Sequence, residues 1–594
     1  HETESAVMHR RLALVLVVVL ACRPAAPPTA PAPARMVAGT PVPAPEATAE
    51  EVFARMPLRA RVAQLVMPWI AGGYAALDDA ALVRADRWVD SLGVGGVIIS
   101  IGSPLEIAAK LNHLQRRAAV PLLVASDLEG GTSIRLTGGT PYPTNMGIGA
   151  GGRELDAYEM GRVTAIEGRA VGIHLTFSPV ADVSNNPANP VINTRSFGAD
   201  PKAAGMLVAA AVRGTQEHGM LATAKHFPGH GDTGVDSHID LPVIGADWGR
   251  LDSLELVPFR AAVDAGVAAV MTAHVAMPLV NGGESRAATL SPAILSGMLR
   301  DSLKFEGLAV TDALDMGALV TTYGTGEIAV LALEAGADLL LQPTDPILAV
   351  DAVVRAVESG RLSAQRVDRS VLKLLRIKQK FGLFRQRIVP LDSVTAGVGT
   401  RDHLELARGA AERSVVLVRD SLGALDSLRS RKQATLVLYG DDVSPTAGRS
   451  FAAELRRLGY QPATYRLGPA SGPASYDSAR TALAVERPAL FIAAARVSSG
   501  RGTLGIPDSL AALIESTAVA RPTLLVALGS PYLLLQAPSV HSYLLAWNIG
   551  EVPEVAAARA LAGQAPITGK LPIDLPPWYP IGWGVPRDKL IAGQ

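Results

Sequence analysis

Met220-Leu221-Ala222-Thr223-Ala224-Lys225-His226-Phe227-Pro228-Gly229-His230-Gly231-Asp232-Thr233-Gly234-Val235-Asp236-Ser237-His238 joins a short apolar run to fourteen residues crowded with groups that hold or move protons. Three imidazoles, one amine, two carboxylates and three glycines lie between Lys225 and His238, far denser polar chemistry than an ordinary core or surface segment carries. Residues 220–224 are short, apolar and end at a charge, as expected of a buried strand. Lys225 then stands at that strand's C-terminal end. Gly229, Gly231 and Gly234 lack the Cβ that restricts the backbone, so the segment after the strand reads as a loop folding back over a pocket. Such a loop is expected to close on a ligand and exclude water.

Outward from this stretch the pattern repeats. Residues 95–99, 121–126, 175–178, 268–272, 307–311 and 337–341 are further short apolar runs, with helix-length segments such as 155–171, 203–218 and 292–303 between them. Strands alternating with helices imply a parallel sheet with crossover helices. Seven or eight units over roughly 330 residues favour a closed (β/α)8 TIM-type barrel, with an open doubly wound sheet as the alternative. Polar residues stand where a barrel needs them. Asp127 follows residues 121–126, Lys225 follows Ala224, His274 lies just past 268–272, and Asp312 follows Thr311. In a barrel all these strand ends face one mouth, where active sites form.

At 594 residues the chain is long enough for two large domains. Runs at 434–439, 489–493, 523–527 and 542–546 predict a second, smaller α/β sandwich after a polar connection. The boundaries read as 50–385 for the barrel, 386–405 for the connection and 406–594 for the second domain. Fifty-five basic and 55 acidic residues give zero net charge with no long run of either sign, which argues against a nucleic-acid partner.

The only cysteine is Cys22. Arg10 and Arg11 precede an apolar run from Leu12 to Ala21, too short to span a bilayer, which takes roughly 20 residues. Residues 1–22 read as a signal peptide ending in a lipobox, with Cys22 lipidated and the protein held at the bacterial cell envelope. Eight prolines between Pro24 and Pro45 make 23–49 an extended spacer. With one cysteine no intrachain disulfide forms, so the core alone must hold the fold.

Four ordered motifs carry a resemblance: Ser126-Asp127-Leu128-Glu129-Gly130-Gly131, Thr194-Arg195-Ser196-Phe197-Gly198, the stretch from Lys225 to His238, and Val310-Thr311-Asp312-Ala313-Leu314-Asp315-Met316. Over residues 50–385 the chain resembles glycoside hydrolase family 3, and more narrowly its β-N-acetylglucosaminidase branch. The family often has Gln and Arg where this chain has Leu128 and Thr132. The resemblance implies a retaining exo-β-N-acetylglucosaminidase acting through a covalent glycosyl-enzyme, with Asp312 as nucleophile and His238, oriented by Asp236, as general acid and base. It implies that Asp127, Arg135, Arg195, Lys225 and His226 hold the hydroxyls of the terminal sugar. Asp315 reads as a helix first-turn residue.

No metal or other cofactor is expected. The His226/His230 spacing resembles a zinc motif, but a glycine-rich loop does not hold a helical ligand pair. The expected partners are a GlcNAc-containing glycan or muropeptide and, through the anchor, a membrane; the expected state is a monomer. Gly569-Lys570-Leu571-Pro572 resembles the family's C-terminal domain, in which no catalytic residue is assigned here, and Gly529-Ser530-Pro531 is compatible with capping a pocket but reads more simply as a turn. A GlcNAc-specific phosphorylase, a β-glucosidase or xylosidase of the same family, and a non-catalytic glycan-binding lipoprotein are the alternatives.

Overall fold

The computed structural model of the chain describes residues 47–442, 444–495 and 504–590. Cys22, the segment read as a signal peptide and nearly all of the proline-rich spacer lie outside them.

Nine short strands build the first domain: β1 (Val66–Met67), β2 (Trp69–Ala71), β3 (Gly96–Ser100), β4 (Leu123–Ser126), β5 (Leu175–Thr176), β6 (Thr223–Phe227), β7 (Ala269–Thr272), β8 (Leu308–Val310) and β9 (Leu340–Leu341). β1 and β2 are two halves of one strand around Pro68, whose carbonyl accepts from Ile98 N at 2.9 Å. Every pairing is parallel: β2–β3–β4–β5, β6–β7–β8 and β1–β9. Parallel bridges Leu175↔Leu221 and Val310↔Leu339 join the three sets, so eight strand positions close into a ring. The barrel expected from alternating runs is therefore present, and the open sheet is not.

The alternation of side chains shows why these runs are strands. Leu123 and Ala125, Ala269 and Met271, and Leu308 and Val310 point into the barrel and pack with Met67, Ile98, Phe177, Leu339 and Leu341. Val124, Val270 and Ala309, the residues between them, belong to the outer core under the helices. A period of two with both faces apolar is the mark of a buried parallel strand. The helices start at side-chain caps: Asp200 accepts from Lys202 N and Ala203 N at 2.9 Å before Pro201–Glu217, and Ser103 forms a capping box with Glu106 before Pro104–Arg117.

The second domain is a six-stranded sheet in the order β10-β15-β14-β13-β11-β12, from β10 (Val416–Asp420), β11 (Gln433–Tyr439), β12 (Gln461–Leu467), β13 (Ala489–Ala495), β14 (Thr523–Gly529) and β15 (Ser542–Leu545). Only β10 runs antiparallel to its neighbour. Leu436, Leu438, Ile492 and Val526 face the helices Arg449–Arg457 and Glu551–Leu561; Val437, Phe491, Leu525 and Tyr543 face Pro473–Leu483 and Asp508–Ala520. These are the three layers of an α/β sandwich.

Residues 386–405 carry the helix Leu391–Gly397 and the first turn of Arg401–Ser414. Four strands are absent from those apolar runs: β1, β2, β10 and β12. β1 and β2 are broken by Pro68, and β12 is an edge strand whose Thr464, Tyr465 and Arg466 face water.

Candidate active site

β6 is where the site begins. Its pairing with β7 slips between Ala224 and Phe227, a bulge that inserts Lys225 and His226 side by side. In a regular strand consecutive residues face opposite sides; a bulge re-aims one of them. Both line the same cleft, of about 740 Å³, at the C-terminal mouth of the barrel. Asp127, Arg135, Arg195, Asp236, His238 and Asp312 line it too, so the structure brings the eight residues singled out for chemistry and sugar binding to one cavity.

Lys225 is 2% exposed and its Nζ donates to Asp127 at 2.9 Å and to Glu129 at 2.6 Å. Arg195 forms a two-pronged pair with Glu129, Nε and Nη2 both at 2.9 Å. Burial, the largest influence, pushes the Glu129 carboxyl up, but Arg195 and Lys225 together hold it well below the usual carboxylate range. Burial alone would lower Lys225; Asp127 and Glu129 reverse that and hold the ammonium charged. Glu129 is thus a buried anion that fixes two cations in the cleft wall. It stands inside the first motif, and the sequence reading passed over it.

Asp182 was missed as well. Its carboxylate accepts from His226 Nδ1 at 2.7 Å, from His226 N at 3.2 Å and from His230 N at 2.7 Å. It lies past residues 175–178, so the strand-end rule that found Asp127 and Asp312 would have found it. With Nδ1 committed to Asp182, the other His226 nitrogen lies 3.3 Å from Arg195 Nη2. Arg135 sits 3.8 Å from Asp127, and its buried Nε has no hydrogen-bond partner among the described residues.

Asp312 follows β8 and its Oδ1 accepts from Ala313 N at 2.8 Å. Burial raises its carboxyl most, yet the neighbouring His226 and His274 rings, the Ala313 amide and Lys225 outweigh this and leave it below the ordinary carboxylate value. A half-buried carboxylate that stays ionised and faces the cleft is a competent nucleophile. His274 braces the turn that presents it, through Nε2 and the Ala313 carbonyl at 2.9 Å. Asp315 does not start a helix: it accepts from Gln342 Nε2 at 2.9 Å, and the helix Gly317–Val320 begins after it.

His238 stands opposite in chemical character. Its Nδ1 donates to Asp236 Oδ1 at 2.7 Å, and its backbone N–H donates to the same oxygen at 2.9 Å. Asp236 is 1% exposed and His238 34%, so the carboxylate is buried behind an imidazole open to the cleft. Nε2 makes no hydrogen bond among the described residues. With Nδ1 tied to a carboxylate, that nitrogen can give and take a proton.

The loop's base is fixed. His230 bonds Thr233 and Ser237 at 2.9 Å through its two ring nitrogens, and Asn189 donates to the carbonyls of His230 and Gly231 at 2.8 Å. Burial pushes the His230 pKa down from 6.5 to about 4. A histidine held neutral in the fold takes up its proton first in the unfolded chain, so stability falls as the pH drops from about 6.5 to about 4, by about 3 kcal/mol for this group. His174 and His274 are lowered by burial in the same sense. Melting curves between about pH 7 and pH 5 should fall steeply for the wild type and less for His230→Gln; parallel slopes would place the proton uptake elsewhere.

The second domain walls the cleft through Gly529, as the pocket-capping alternative for 529–531 has it, and through Trp547, Asn548 and Ile549, which the sequence does not single out; Ser530 caps the 3-10 helix Pro531–Leu535 in place of a simple turn. Trp547 is fully buried, its Nε1 bonded to the Ser414 carbonyl at 2.6 Å, and Asn548 Nδ2 donates to the Tyr142 carbonyl at 3.2 Å. A larger cavity, about 1350 Å³, opens among Leu221, Ala268, Gly307 and Asp338. These residues precede or begin strands, so it lies at the opposite end of the barrel, the end that serves stability. Its Asp338 is absorbed by Arg300 at 2.8 Å, Lys373 at 3.0 Å and Ser370 at 2.5 Å.

Comparison with known proteins agrees with this mouth. Residues 57–377 match the family described as "Glycosyl hydrolase family 3 N terminal domain". The chain is 29% identical over 503 residues to a beta-N-acetylglucosaminidase/beta-glucosidase of Cellulomonas fimi, covering 81% of this chain and 89% of that protein. A solved glycoside hydrolase family 3 beta-N-acetylglucosaminidase from Paenibacillus sp. str. FPU-7 superposes with a TM-score of 0.79 at 36% identity, covering 88% of this chain and 99% of that one. A beta-glucoside phosphorylase bound to 2FGlc superposes with a TM-score of 0.80 at 25% identity, covering 89% and 96%. The protein is a glycoside hydrolase. It belongs to glycosyl hydrolase family 3.

Proposed function

We propose that this enzyme removes terminal β-linked N-acetylglucosamine with retention of configuration. The observation that carries the proposal is the pairing, in one cleft, of an ionised, half-buried Asp312 with an imidazole backed by Asp236. Asp312 attacks the anomeric carbon while His238 Nε2–H protonates the departing oxygen, and the positive charge that imidazole carries before transfer is stabilised by Asp236. The glycosyl group is then an ester of Asp312. In the second step His238, now neutral, takes a proton from water, which attacks the anomeric carbon and frees the carboxylate. Asp127, Arg135, Arg195, Lys225 and His226 supply the fixed donors and acceptors that a neutral sugar needs for orientation.

Peptidoglycan fragments are the proposed natural source of the glycan. The proposed setting is the bacterial cell envelope, with a monomer held by lipid on Cys22; the lipobox-like sequence supports the anchor and nothing in the barrel depends on it. Turnover of a nitrophenyl β-N-acetylglucosaminide beside the matching β-glucoside, with and without phosphate, tests the activity. Release from the acetamido sugar into water is expected; a sugar phosphate would make the enzyme a phosphorylase, and preference for the glucoside would overturn the substrate.

A further inference from the structure

The acid–base loop and the nucleophile turn touch at one point. Gly317 N donates to the His238 carbonyl and Ala318 N to the Ser237 carbonyl, both at 3.3 Å. A Cβ at Gly317 would stand 2.7 Å from the His238 carbonyl oxygen, 2.6 Å from the Ile239 oxygen and 2.9 Å from the Ile239 carbonyl carbon. All three are backbone atoms, so no side-chain rotation relieves the contact; the loop itself must move. Beyond the base that His230 fixes, the loop is the more exposed of the two partners. Ile239 and Val235 are half exposed on it, whereas Gly317 precedes Ala318 and Leu319, buried on the barrel.

We infer that Gly317 is a positioning residue: its missing side chain seats the backbone of His238 on the turn that follows Asp312, and so sets the distance between the group that protonates the leaving oxygen and the group that attacks. This rests on the roles proposed above for Asp312 and His238. The glycine is required for close approach and not for an unusual backbone angle, which separates it from Gly229, whose φ is 135°. His238 is held within its own loop by Asp236, so a displaced loop keeps its dyad. What changes is where the dyad stands relative to the glycosidic oxygen.

The test compares Gly317→Ala with wild type on two glycosides of N-acetylglucosamine, one with a nitrophenyl leaving group that departs without protonation and one with an alkyl or sugar leaving group that does not. The expected result is a loss of kcat/KM of about a hundredfold on the unactivated glycoside, the scale of an ångström's misplacement, with the nitrophenyl glycoside nearly unaffected. Retained nitrophenyl turnover and an unchanged melting curve report a folded barrel. In a His238→Gln background the same substitution should add nothing, because the group it positions is gone. Equal losses on both glycosides, no loss on either, or a full additional loss in the His238→Gln background would overturn the inference. If His238→Gln itself shows no dependence on the leaving group, the proposed role of His238 fails first, and this separates the two ideas.

Discussion

Asp312→Asn should cut kcat/KM on a nitrophenyl β-N-acetylglucosaminide by about four orders of magnitude, the scale on which removing one member of a covalent catalytic set acts. The amide keeps the shape and can accept the Ala313 N–H that Asp312 accepts at 2.8 Å, so the turn after β8 should hold. It cannot form the glycosyl ester. The variant also removes a negative charge whose favourable surroundings outweigh its burial, so the melting temperature should stay level or fall slightly. Steady-state kinetics and a melting curve on the same preparation check both halves. Residual turnover within tenfold of wild type would remove Asp312 from the chemistry.

The largest loss of stability is expected from a residue outside the cleft. Glu167 is fully buried and accepts from Thr140 N at 2.9 Å, Thr140 Oγ1 at 2.5 Å, Gly399 N at 2.9 Å, His403 Nδ1 at 2.9 Å and the Thr132 hydroxyl. It therefore ties the loop that carries Arg135 to the connection between barrel and sandwich. Glu167→Leu leaves all of these donors buried and unmatched, which should cost about 3–5 kcal/mol, the range seen when one partner of a buried charged network is removed. Thermal or urea unfolding measures it. A loss below about 1 kcal/mol would mean that water replaces the carboxylate and that the connection does not depend on it.

Much of this molecule is legible in its sequence because strand ends are chemically conspicuous. An apolar run of four to six residues followed by a charge marks both a buried strand and the side chain at its mouth, which is how Asp127, Lys225 and Asp312 stand out. Asp182 obeys the same rule at greater remove, separated from its run by Pro179, Val180 and Ala181, and is overlooked for that reason. Glu129 and Glu167 are different. A carboxylate next to glycines, or on a helix between Ile166 and Gly168, carries no local sign of the cations or hydroxyls that will meet it from 27 to 236 residues away.

The Thr132 position shows the same limit from the other side. Thr132 gives no hint of its partner in the sequence; in the structure its hydroxyl donates to Glu167. Among the unassigned strands, β12 at a sheet edge shows no apolar run and β1 with β2 is interrupted by proline, whereas β10 does carry one, Val415 to Val418, and is overlooked all the same.

Every side chain proposed to touch the reacting atoms comes from the barrel, whereas Gly529, Trp547, Asn548 and Ile549 of the sandwich domain only border the cleft. Bond cleavage is thus assigned to the barrel alone, and substitutions at Asn548 or Ile549, in the turn after β15, should alter the shape of the cleft wall while leaving the proposed Asp312 and His238 chemistry in place.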